Sequence, residues 1–190
     1  MSILPGIYAS QITGHLVTSS YESIATFNLS SSTTTVTFSS IPQTYKHLQL
    51  RAIGRSTRAV AAEGAWLYFN NDTSTTTYAL HGLLGDGATA SAYATPTPNS
   101  GGALGGLVTG ANAASSIFGT FVCDILDYTN TNKNTTTRSL TGQDQNGSGN
   151  IRLISAVWLN TAAVTSIKID TQGGGDFTQY TSFALYGIKG

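Results

Sequence analysis

HLQLRAIG (residues 47–54) alternates without a break, with Leu48, Leu50 and Ala52 on one side and His47, Gln49 and Arg51 on the other. Successive side chains of an extended chain point to opposite faces, so a period of two marks a strand with one buried face. Working outward, the same pattern returns. SIATFNL (23–29) and TTVTFSSI (34–41) interleave apolar and hydroxyl residues around a Ser/Thr turn, and AWLYFNN (65–71) runs into a turn-prone Asn-Asn-Asp. SIFGTFVCDIL (116–126), TTTRSLTGQ (135–143), IRLISAVWL (151–159), VTSIKID (164–170) and TSFALYGI (181–188) follow. Together they make about nine or ten short strands. Asn146-Gly147, Gly173-Gly174-Gly175, Pro96 and Pro98 supply the turn chemistry between them.

Helical signals are weak. TRAVAAEGA (57–65) supports one or two turns, and the Gly/Ala/Thr-rich region around 82–115 has no sustained 3.6 period, so it reads as a long excursion. The expected fold is therefore all-β: an antiparallel β-sandwich, jelly-roll-like, formed by a single domain of residues 21–190. Leu48, Leu50, Phe121 and Trp158 belong to its core. Residues 1–20 precede it as an extended N-terminal arm, apolar at Leu4, Ile7, Tyr8, Ile12 and Leu16 and broken by Pro5-Gly6. No Lys or Arg occurs before Lys46, so the arm lacks the basic start and unbroken apolar run of a secretory signal. No stretch approaches the length of a membrane span, and no membrane partner is expected.

Of the 190 residues 40% are apolar, enough for a core, but only 9% are charged, against about 25% in ordinary soluble domains. Ser and Thr make up about a quarter of the chain and the net charge is zero. A surface of hydroxyls and amides costs little to desolvate, which suits packing against a neighbour or contact with sugar. Nothing in the overall charge asks for an acidic or basic partner.

Chemistry-bearing patterns are sparse. Nucleophile-elbow, phosphate-loop and zinc-helix motifs are missing from the sequence, so no enzyme, cofactor or metal is expected. Asp124 and Asp127 should point to opposite faces, unlike a glycosidase pair. The single cysteine, Cys123, alternates with apolar neighbours as a buried small hydrophobe does. GQDQNGSGN (142–150) has Asp144 and Asn146 at cation-loop spacing but lacks further acids, and a tight Asn-Gly hairpin explains it better. Lys46, Arg51, Arg55 and Arg58 place four of the nine basic residues in thirteen positions. No wider basic field accompanies them, which argues against nucleic acid and leaves Arg51, Arg55 and Arg58 as a candidate polar interface, within the chain or between subunits. Trp66 and Tyr68, with Tyr78, are a candidate aromatic platform for glycan.

Three segments resemble a group of small virion proteins of tailed bacteriophages. They are YESIATFNLSSSTTTVTFSSIPQTYKHLQLRAIGRSTR (21–58), YTNTNKNTTTRSLTGQDQNGSGNIRLISAVWLNTAAVTSIKI (128–169) and the ending SFALYGIKG (182–190). The resemblance implies a non-enzymatic β-sandwich located in the virion. Within that group a capsid decoration (cement) protein is the favoured expectation, a homotrimer on the phage head surface whose arm and one rim contact the major capsid protein or adjacent copies. The alternative is a tail-fibre module that contacts host glycan, which would require Trp66 or Trp158 to be exposed.

Overall fold

The structure, a computed structural model, describes residues 20–95 and 101–190. Twelve strands are found there: β1 (Tyr21–Asn28), β2 (Thr35–Phe38), β3 (His47–Gly54), β4 (Ala62–Phe69), β5 (Tyr78–Gly85), β6 (Ala90–Thr95), β7 (Ala103–Thr109), β8 (Gly119–Leu126), β9 (Thr135–Asp144), β10 (Gly149–Trp158), β11 (Ile167–Thr171) and β12 (Ser182–Ile188). They form two antiparallel sheets, ordered β1-β12-β3-β8-β9-β10-β5-β6 and β2-β11-β4-β7. The first four strands of the large sheet and the whole small sheet are the two four-stranded halves of a jelly roll. Two hairpins, β5–β6 inserted after β4 and β9–β10 inserted after β8, widen one sheet from four strands to eight. The expected all-β sandwich is what forms.

Period-two sequence becomes buried face where it was read. Leu48, Leu50, Phe121 and Trp158 are all fully enclosed. Trp158 sits against Phe69, which also meets Tyr78. Phe177 and Phe183 close the other end edge-to-face. Burying side chains of this size contributes roughly 1.5–3 kcal/mol each before entropic costs.

The excursion around 82–115 needs correction. It holds the end of β5, all of β6, and β7, whose seven residues are all buried. A strand covered on both faces shows no alternation, and ALGGLVT is rich in glycine because the neighbours come too close for side chains. A Cβ on Gly105 would lie 2.9 Å from Leu67, and one on Gly106 would lie 2.3 Å from the Cβ of Phe121. The short helix at TRAVAAEGA is also replaced. Its second half opens β4 instead, and Arg58 and Val60 fold back against Ala111, Gly110 and Asn112 in the turn after β7. Gly106→Ala should lower the unfolding free energy by about 1–3 kcal/mol, because a well-packed core resists an added methyl. Urea denaturation of the two proteins measures it.

The close approach of β7 also explains an inverted strand. On β9 the inward residues are Thr135, Thr137, Ser139, Thr141 and Gln143, all buried, while Leu140 points out. Thr141 accepts the Leu107 amide at 2.8 Å and donates to the Thr120 carbonyl at 2.9 Å. Hydroxyls thus line the seam where backbone nears backbone. The Asn146-Gly147 hairpin forms as expected, with left-handed φ values of 56° and 112° and a bond from Gln145 to Ser148.

Candidate functional site

The side chains that suggested chemistry are mostly occupied in holding the chain together. Arg55 donates to four carbonyls, those of Ala111, Ala113, Ala114 and Ile117, at 2.8–3.3 Å. It organises the β7–β8 connection, so of the two places open to it, within the chain or between subunits, its contacts here are within the chain. Arg58 donates at 2.9 Å to Glu63, whose side chain is completely buried and whose second oxygen accepts the Gly173 amide. This pair is internal as well. Arg51 alone of the three stays on the sheet surface, its guanidinium over the rings of Tyr21 and Tyr186 and its Nε donating to Gln49.

The aromatic platform is overturned. Trp66 is buried with its indole against Gly101, Tyr78 is fully enclosed, and Tyr68 is half-buried under the Lys168 ammonium. Trp158 is enclosed too. No flat aromatic surface is left at these positions for a sugar to stack on.

The carboxylates are similarly committed. Asp124 accepts from Gln49 and pairs with Arg138. Asp127, in a left-handed turn after β8, is gripped by Lys133 and Lys46, which hold its carboxyl down at about 2. Its amide donates to Nδ1 of His47, so that histidine orients a turn. Asp144 accepts the Asn146 amide inside the hairpin. Burial pushes the Cys123 thiol up to about 12, and a thiol in that state is a poor nucleophile. No cluster of three or more potential metal ligands occurs among the described residues. The arm residues Leu4, Ile7, Tyr8, Ile12 and Leu16 lie outside the described residues.

What the surface does offer is apolar. On the outer face of the large sheet the register places Val122, Leu140, Leu153, Leu83 and Ala92 side by side on five consecutive strands. The four larger ones are 38–59% exposed. One step along the strands, Ile53 and Ile151 are also exposed, in a row completed by Thr120 and Gly142. Beside the stripe, over the Arg138–Ser155–His81 row, lies a groove of about 540 Å³ edged by Leu126, Leu83 and Leu153. An apolar row of this length, among the described residues, is the kind of surface feature that contact sites carry.

Sequence patterning missed this row. In TTTRSLTGQ Leu140 is the one large apolar residue, so alternation alone assigns it inward. In IRLISAVWL both alternating sets are apolar, which was the available signal that β10 has two contact faces. No family model, curated protein or solved structure matches the chain.

Proposed function

We propose that the protein is a non-enzymatic structural component of a tailed-phage virion, a capsid decoration protein that binds the major capsid protein and stabilises the head. The observation that carries this reading is the use the fold makes of its side chains. Reactive groups are spent on internal ion pairs and carbonyl clamps, while the outer face of the large sheet carries an apolar row from β8 to β6 suited to assembly. The jelly roll is compatible with that role without requiring it, and the sequence resemblance supplies the virion setting. The tail-fibre alternative loses its sugar platform with the burial of Trp66 and Trp158.

In this reading the arm attaches and the sandwich is the rigid body it anchors. The apolar side chains Leu4, Ile7, Tyr8, Ile12 and Leu16 bury against the capsid protein, each contributing roughly 1.5–3 kcal/mol before the cost of ordering. Because β1 begins only at Tyr21, deleting residues 1–16 should leave the sandwich folded. The truncated protein should then fail to decorate capsids stripped of the native protein. Thermal unfolding and capsid occupancy, measured together, test this. A lowered melting temperature with normal occupancy would show that the arm belongs to its own sandwich, and labelling confined to the tail of intact virions would remove the decoration role.

A further inference from the structure

We propose that copies of this chain meet through the outer face of the large sheet, with the Val122–Leu140–Leu153–Leu83 row of one copy against the same row of its neighbours. The inference deepens the assembly reading above by naming the surface and the partner, and it concerns the free protein, before any capsid.

Three observations select a second copy as the occupant. The first is charge. The row next to the stripe runs Gln49, Asp124, Arg138, Ser155 and His81 across five strands. Its carboxylate and guanidinium are already paired at 3.1 Å, and Gln49 bonds the other Asp124 oxygen at 2.8 Å. Identical surfaces brought together place like groups near each other, which is tolerable only where each copy neutralises its own charges. A partner of opposite charge would find no unpaired charge in this row, and Arg51, which continues the apolar stripe on β3 beside Val122, lies over the rings of Tyr21 and Tyr186.

The second is shape. Leu140, Ile151 and Leu83 are more than half exposed, and the groove beside them, edged by Leu126, Leu83 and Leu153 and lined also by Arg138 and His81, is a hollow in the same face. A surface that carries both knob and hole can be complementary to itself, as a symmetric interface requires. The stripe runs five strands, with the polar Gln49–His81 row on one side and the Ile53–Thr120–Gly142–Ile151 row on the other. That outline fits a seam along a symmetry axis.

The third is area. From β3 to β6 the face covers six strands. At about 4.8 Å per strand and roughly seven residues of about 3.3 Å, this is roughly 650 Å² in plan. The whole face, stripe and flanking rows together, is thus of the order of the roughly 800 Å² of accessible surface per partner in a standard interface. The far strand, β6 (ASAYAT), carries no charge or proline and pairs only with β5 among the described residues.

Sedimentation equilibrium of the full-length chain at micromolar concentration should show an oligomer. The double variant Leu140→Lys/Leu153→Lys should keep the far-UV spectrum of the sandwich, since both side chains are solvent-facing in one copy, and should associate roughly 100-fold or more weakly. Tyr180→Ser, which removes an exposed aromatic side chain from the loop before β12, should associate normally. Leu140→Cys should cross-link into a disulfide dimer under mild oxidation, because Cys123 is buried and does not compete. A monomeric full-length chain, or an oligomer that survives the double lysine variant, overturns the proposal. So does a chain lacking residues 1–19 that associates while the full-length chain does not, which would make the arm the stripe's own cover. Capsid occupancy enters none of these readouts, so this proposal and the decoration role fail separately.

Discussion

Arg58→Met is expected to lower the unfolding free energy by about 3 kcal/mol, the lower part of the range for breaking a buried ion pair, because the arginine itself is half open to solvent. The loss arises at Glu63. Its carboxylate has no solvent exposure and is left with the Gly173 amide as its remaining partner. An uncompensated buried charge is far worse than a neutral group of the same shape. Arg58→Met combined with Glu63→Gln should therefore recover much of the lost stability, although it restores no ion pair. Guanidinium denaturation of the two variants and the parent decides this. If Arg58→Met unfolds at the parental midpoint and changes only self-association, the internal assignment of Arg58 is wrong and the subunit-contact reading returns.

Trp158→Ala should cost about 3–5 kcal/mol, the range for removing a large buried aromatic side chain. Its ring packs against Phe69 at 5.7 Å, and its indole nitrogen donates at 2.7 Å to Asp72 in the loop after β4. Trp158→Phe separates the two contributions. It keeps most of the packing and removes the bond to a charged acceptor, for a loss of about 1.5–3 kcal/mol. The pH dependence has a definite sign. Partial burial pushes the Asp72 carboxyl up, but the bonds from Trp158, Ser74 and Thr77 outweigh it and leave the group below its ordinary value. A carboxyl lowered by folding stabilises above its unfolded pKa, and that contribution disappears as the pH falls through the folded value. Trp158→Phe should thus show a shallower loss of stability on acidification than the parent. An unchanged acid slope would mean that the Asp72–Trp158 bond contributes nothing to folding.

Both residues illustrate where sequence reading stopped. Period two places Trp158 in the core, because in IRLISAVWL (151–159) it falls on the same side as Ile154 and Ala156. Its partner Asp72 lies 86 positions away, and no local pattern points there. Arg58 and Arg55 stand out as a basic cluster, and residue type alone leaves open whether they pair within the chain or between subunits. Their partners are a glutamate inside β4 and the carbonyls of a turn that forms only when β7 is in place. Trp66 and Tyr68 share a strand face on paper, yet whether that face is open depends on what the rest of the chain lays over it.

The strands themselves divide in the same way. β3, β8, β9, β10 and β12 were legible because alternation is a local consequence of extended backbone with one covered face. β7 was not, since a strand buried on both sides and crowded by Leu67 and Phe121 keeps glycine where a pattern would show. β5 carries Leu80 inward and Leu83 outward, which blurs its period. The sequence by itself determined the all-β class, most strand positions, the Asn146-Gly147 turn and the low-charge surface, all of which follow from residue type and local spacing. Only the tertiary structure decided the jelly-roll pairing, the conversion of Arg55 and Arg58 into internal clamps, and the alignment of Val122, Leu140, Leu153 and Leu83 into one row. Each of these depends on registers between strands distant in the chain, where packing and backbone hydrogen bonding act and local propensity does not.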